Sequence, residues 1–135
     1  LKALRAQINP HFLFNALNTI VSLTRTNPEE ARNLLVELSE FFRRNLKSSR
    51  DFITLREEIE QVDSYLALEK ARFGERLIVD KKLDADTMDV KLPTFTLQPL
   101  VENAVKHGLL TKEEGGTVTI SAALEKGFVE ITVRD

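Results

Sequence analysis

Apolar residues recur at helical spacing through the first 73 positions, a stretch without glycine, and alternate at strand spacing near the end. At about 100° per residue, positions 11–25 divide into two arcs. His11, Asn15, Asn18, Thr19, Ser22 and Arg25 share a polar arc, and Phe12, Leu13, Phe14, Ala16, Leu17, Ile20, Val21 and Leu23 cover the rest. A helix with so wide an apolar face belongs in a bundle, and His11, on the polar arc, should be reachable from outside. Upstream, Leu1, Leu4 and Ile8 project onto the arc that turns polar after His11. The switch falls at Asn9-Pro10. Proline inside a helix removes a hydrogen bond and clashes one turn back, so a kink or break is expected just before the histidine.

Asn27-Pro28-Glu29-Glu30 has the form of a helix start: an N-cap residue, proline in the first turn, then acids at the positive end of the dipole. The helix it opens would carry Ala31, Leu34, Leu35, Leu38, Phe41, Phe42 and Leu46 on one side. Thr54-Leu55-Arg56-Glu57 reads as a capping box. The helix after it runs through Ile59, Val62, Leu66 and Phe73 to a stop at Gly74.

Past Gly74 the pattern changes. Leu77-Ile78-Val79 begins a strand, and 84–94 reads as an acidic loop ending at Pro93. A further helix is expected from Leu97 to His107 with Gly108 as its stop. Two alternating runs, 117–122 and 128–133, joined through Glu125-Lys126-Gly127, predict a β-hairpin. Helices first and a mixed segment with a sheet afterwards give an α+β chain of two units, with the division near residue 50.

Composition narrows the function classes. Apolar residues make up 42% and charged residues 30%, which is globular rather than disordered. A net charge of -2 gives no electrostatic ground for a nucleic-acid partner. There is no cysteine, which excludes disulfides and thiolate metal sites. No apolar run approaches the roughly 18 residues of a membrane span. The chain starts at Leu1, already in a helical pattern, and ends at Asp135 directly after a strand-like run. It therefore reads as a piece of a longer protein, whose other segments these residues do not describe.

Two constellations can carry chemistry. His11 is one: a nucleophile on a polar helix face, or an ordinary surface or capping histidine. The second is the helix from Leu97, where Glu102, Asn103, Lys106 and His107 fall on one arc and Leu97, Leu100, Val101, Ala104 and Val105 on the other. An acid, an amide, a cation and an imidazole over an apolar backing suit polyphosphate chemistry, with amide oxygen for Mg²⁺, Lys for phosphate and Glu for a proton or water. The same arc also fits a solvated helix face.

Together these segments carry a resemblance. Gln7-Ile8-Asn9-Pro10-His11-Phe12-Leu13-Phe14-Asn15 resembles the acceptor motif of the LytS-type (YehU/YpdA-like) sensor histidine kinases. Leu97-Gln98-Pro99-Leu100-Val101-Glu102-Asn103-Ala104-Val105-Lys106-His107-Gly108 resembles their N-box, and Glu69-Lys70-Ala71-Arg72-Phe73-Gly74-Glu75-Arg76-Leu77 also fits. Two long motifs in the right order are far more specific than either alone.

The resemblance implies a fold and a reaction. Residues 1–50 would be a dimerisation and phosphoacceptor hairpin, pairing into a four-helix bundle. Residues 51–135 would be the first part of the α/β sandwich shared with the gyrase/Hsp90-type ATPases. The γ-phosphate of ATP would move to His11 and then to an aspartate of a response regulator. Asn103 would coordinate Mg²⁺, Glu102, Lys106 and His107 would line the nucleotide pocket, and Asp135 would receive the adenine amino group. The chain would be the cytoplasmic part of a bacterial inner-membrane sensor, a homodimer without nucleic acid, reaching the membrane only through segments outside these residues. Glycine-rich lid segments, which hold phosphates with backbone N–H groups, would follow Asp135, so this piece alone is expected to bind ATP weakly or not at all. Phe12 stands where many histidine kinases have an acid after the acceptor, so the proton acceptor must come from elsewhere. Asn15, one turn on from His11, is a candidate for positioning water during dephosphorylation of the regulator. The rival function is a non-catalytic dimeric module that binds a regulator without transferring phosphate, which would need neither His11 nor Asn103.

Overall fold

The computed structural model describes residues 9–47, 50–110 and 113–135. Helix α1 spans Pro10–Thr26 and helix α2 Pro28–Lys47, separated by Asn27 alone. Asn9 is extended (φ -61°, ψ 115°), and its side-chain oxygen accepts the His11 N–H at 3.0 Å, so the helix begins immediately before the histidine. The expected break at Asn9-Pro10 is thus a capped helix start, with proline in the first turn. Leu1, Leu4 and Ile8 lie outside the described residues. Asn27 ends α1, its N–H bonded to Leu23 O, and opens α2, its side chain accepting from Glu30 N at 3.3 Å.

The helices bury narrower stripes than their composition suggested. From α1 only Phe12, Ala16 and Ile20 are buried, at i, i+4 and i+8. From α2 the buried apolar residues are Ala31, Leu34, Leu38 and Phe41. Leu35 and Leu46, expected on that side, are exposed, as are Phe14, Leu17 and Val21 on α1. The reason is the partner: both helices lean on one further helix, α3 (Leu55–Phe73), and a single helix covers only one seam. Phe12 marks that seam, its ring 5.1 Å from Phe41 and 5.0 Å from Tyr65. Edge-on and tilted aromatic pairs of this kind add about 0.5–1.5 kcal/mol each beyond their buried area.

Helix α3 opens with the expected capping box. Thr54 Oγ1 accepts from Glu57 N at 3.2 Å, and Glu57 Oε1 accepts from Thr54 N at 3.1 Å. These bonds, backed by Arg50, hold the Glu57 carboxyl below its usual range. The helix stops at Gly74, whose φ is 62°.

Strand β1 (Phe52–Thr54) precedes α3 and pairs antiparallel with β3 (Lys91–Pro93), with Ile53 opposite Leu92. This corrects the loop expected over 84–94, which holds a 3-10 turn at Ala85–Thr87 and then β3. A three-residue strand leaves no readable alternation, and its partner lies far away in sequence. Strand β2 (Leu77–Leu83) pairs parallel with β4 (Gly116–Glu125), and β4 pairs antiparallel with β5 (Phe128–Arg134), giving the order β2-β4-β5. The β4–β5 turn is Lys126-Gly127, both at positive φ (50° and 82°), the backbone of a two-residue hairpin.

Helix α4 (Leu97–Leu110) links β3 to β4 and packs on the sheet together with α3. It runs on through Gly108, the expected stop. Gly108 marks a close approach instead: a Cβ on Gly116 would sit 3.0 Å from Gly108 O. The N-terminus of α4 is closed from another helix. Glu58 of α3, 1% exposed, accepts from Thr96 N at 2.7 Å and Leu97 N at 3.3 Å. Burial pushes the Glu58 carboxyl up against those bonds. The helices and mixed sheets make the chain α+β, and one continuous core joins α1 and α2 to α3, α4 and the sheet. Among the described residues no helix is long and apolar enough to cross a membrane.

Candidate functional site

Three helices enclose a cleft of about 360 Å³. Helix α1 brings Asn9, His11, Phe12 and Asn15 to it. Helix α3 brings Tyr65, Glu69, Arg72 and Phe73, and α4 brings Glu102, Asn103, Val105 and Lys106. Two segments nearly a hundred residues apart thus meet across one space. His11 is exposed in the first turn of α1, its backbone N–H fixed by Asn9. Asn15, one turn on, is half-buried and faces the same cleft.

On α4, Glu102 is half-buried and accepts from Gln98 Nε2 at 3.1 Å. Burial pushes its carboxyl above the usual range, while the hydrogen bond from Gln98 holds it back. Asn103 and Lys106 are exposed along the cleft wall, Lys106 one turn beyond Glu102. His107 and Asp135 are not among the cleft's lining residues. They face each other instead, with Nδ1 3.8 Å from Oδ2. The helix explains it, because His107 is turned about 100° from Lys106.

The cleft floor comes from residues given no role above. Tyr65 Oη donates to Glu69 Oε2 at 3.2 Å, and Arg72 Nη1 lies 3.8 Å from Glu69 Oε1. Glu69 is 6% exposed, and burial pushes its carboxyl up, against the pull of Arg72 and Tyr65. The Tyr65 hydroxyl is pushed far up by burial and by the charges of Glu69 and Glu102. The signal for this group was the spacing Tyr65, Glu69, Arg72, four and three residues apart on one helix face.

The cleft suits a polyphosphate with a hard cation. Among the described residues no three His, Cys, Asp or Glu side chains gather to hold a metal by themselves. Mg²⁺ does not require that, since phosphate oxygens and water fill most of its shell and one or two protein oxygens suffice. Asn103 carries a side-chain oxygen and Lys106 a cation, both exposed at the cleft. A second cleft of about 340 Å³ lies between α2 and the start of α3. Both of its α2 arginines are engaged, Arg43 with Glu40 at 3.0 Å and Arg44 with Ser64 at 2.7 Å.

The histidine kinase family model matches residues 1–77, more than half of the 135. The chain belongs to the histidine kinase family. This histidine kinase chain is 49% identical, over its whole length, to the sensor histidine kinase BtsS of Escherichia coli (strain K12), of which it spans 24%. It is 44% identical over its whole length to the sensor histidine kinase/phosphatase LytS of Staphylococcus aureus, spanning 24% of that protein. It is 41% identical to the sensor protein LytS of Staphylococcus epidermidis, spanning 23% of it. The chain thus covers about a quarter of the curated relatives it matches.

Proposed function

We propose that this chain is the core of a two-component sensor histidine kinase, in which the γ-phosphate of ATP passes to His11 and then to an aspartate of a response regulator. The observation that carries the reading is the shared cleft, with His11 on one wall and Asn103 on the other. Bound ATP with Mg²⁺ supplies the phosphoryl group and neutralises its charge. The protein's part is positioning. The first turn of α1 presents the His11 imidazole as nucleophile. Asn103 supplies an oxygen to the cation, and Lys106 faces phosphate. Glu102, its carboxyl raised by burial, is poised to take a proton in a site where Phe12 follows the acceptor. Asn15 serves the phosphatase reaction, orienting water for dephosphorylation of the regulator. His107 and Asp135 are assigned to the adenine side of the nucleotide.

Residues 1–50 act as the acceptor and dimerisation hairpin, and 51–135 as the start of the ATP-binding unit. The exposed stripe Phe14, Leu17 and Val21 supports a homodimer built on α1, as a four-helix bundle requires. The chain would lie in the cytoplasmic part of a membrane sensor.

The test is phosphate transfer from labelled ATP to the intact kinase beside His11→Gln. Acid-labile, base-stable label that disappears in the variant is the expected result. Absence of label from a folded, nucleotide-binding protein would leave the non-catalytic interaction module.

A further inference from the structure

The floor of the cleft carries a cation that the proposed reaction has not yet used. Arg72 sits near the end of α3, its side chain 33% exposed, in the same cleft lining as His11, Asn103 and Lys106. Its polar and ring contacts among the described residues are two. Nη1 lies 3.8 Å from Glu69 Oε1, an ion pair too long for a hydrogen bond. The guanidinium carbon stands 4.5 Å from the centre of the Phe73 ring. A guanidinium has several N–H donors in a fixed fork and keeps its charge. The Phe73 ring holds it by one face and takes none of them. Helix α3 packs against α1, which carries His11, and against α4, which carries Asn103 and Lys106. Arg72 therefore stands on the element that joins the acceptor wall to the nucleotide wall.

We infer that Arg72 is a further catalytic residue: its unengaged guanidinium N–H groups grip the phosphoryl group as it crosses from the α4 wall to His11. This rests on the kinase reading above. In that step a bond forms between the His11 imidazole nitrogen and the γ-phosphorus, and the bond to the β–γ bridging oxygen breaks. ADP leaves with the electron pair, the imidazole proton goes to the Glu102 carboxylate, and Arg72 donates hydrogen bonds only. Charge spreads over the equatorial oxygens of the group in transfer. A planar fork can meet two of those oxygens at once, which the compact ammonium of Lys106 cannot. The competing role for Arg72 is counter-ion to the buried Glu69. The geometry serves that role poorly, since a well-made pair of this kind closes to about 2.7–2.9 Å.

The experiment measures His11 labelling at saturating ATP in the intact kinase. Arg72→Lys keeps the charge and loses the fork, and should slow labelling about tenfold or more, the scale of one lost hydrogen bond to a charged group. Arg72→Gln should slow it about 10³-fold, as loss of an arginine does in other phosphoryl transfers. Affinity for ADP, which lacks the transferred group, and the thermal midpoint should stay unchanged. Glu69→Gln separates the counter-ion role, because it removes the charge that Arg72 would serve. Added to Glu69→Gln, Arg72→Gln should slow labelling by the same factor as before. Parental labelling in either Arg72 variant would overturn the inference. So would slowing that travels with weaker ADP binding or a lower thermal midpoint, or slowing that vanishes in the Glu69→Gln background. If even the unaltered protein fails to label His11, the kinase reading falls, and calorimetry with Mg²⁺ and tripolyphosphate decides on Arg72. Tighter binding to the unaltered protein than to Arg72→Gln keeps it as a phosphate ligand, and equal or absent binding removes it.

Discussion

Helix α1 buries three of its 17 residues, and helix α3 buries ten of its 19. The first leans on the molecule along one seam, and the second is surrounded. The contrast separates two jobs. Helix α3 is the frame: it packs against α1, α2, α4 and the sheet, and its Glu58 closes the end of α4. Helix α1 presents His11 from a position that few buried contacts hold, and elements that must move are drawn from such low-stability regions. On the function proposed above, a phosphoacceptor that meets first a nucleotide and then a regulator would need that looseness.

The largest effect should come from cutting the frame. Leu68→Ala, at a site 2% exposed, should cost about 2–5 kcal/mol and lower the urea midpoint for the whole chain at once. A loss confined to one helix would show that α3 is not the common support. Next comes the seam. Phe12→Leu keeps an apolar side chain but loses both ring contacts, for about 1–2 kcal/mol. The loss should be local, with α1 amides exchanging faster by hydrogen exchange while the α3 core holds its protection. Equal acceleration in both helices would erase the distinction between leaning and framing.

The same contrast explains what the sequence made legible. Caps and turns are local, so Asn27, the Thr54–Glu57 box, Gly74 and the Lys126-Gly127 turn are found where the spacing put them. Features that depend on a distant partner were not readable. The β1–β3 pair joins positions some forty residues apart, each strand only three residues long. Gly108 looked like a helix end because its real neighbour, Gly116, arrives from the sheet. Leu35 and Leu46 share an apolar side with Leu38 in projection, yet the packing partner covers only part of it. At the candidate site, His11 and the Glu102–Lys106 group stood out by residue type, while the floor of Tyr65, Glu69 and Arg72 emerged only once three helices had converged.

The exposed side of α1 sharpens the comparison from outside. Phe14 is 67% exposed, so Phe14→Glu should change the stability of the isolated fold by no more than about 0.5 kcal/mol. If this stripe is the dimer face, the same substitution should turn dimer into monomer in sedimentation equilibrium. A variant that stays dimeric moves the interface elsewhere, and one that unfolds shows that the stripe belongs to the core.

The smallest effect is electrostatic, and it again sits on α3. Burial raises the carboxyls of Glu58 and Glu69, whereas the hydrogen bonds of Thr54 lower that of Glu57. A carboxyl with a raised folded pKa binds its proton more tightly folded than unfolded, so its contribution is present in acid and fades as pH rises through the folded value. Glu57 acts with the opposite sign, its contribution being lost as pH falls through its lowered value. Stability should therefore peak in weak acid, where Glu57 is ionised and Glu58 and Glu69 still hold protons, and decline toward neutrality. Glu69→Gln keeps the shape and removes one raised group. Its urea midpoint should fall less between weak acid and neutral pH than that of the unaltered chain. A decline of equal or greater slope would mean that Arg72 and Tyr65 already stabilise the Glu69 carboxylate enough to offset its burial, and the floor of the cleft would then carry a fixed negative charge at neutral pH.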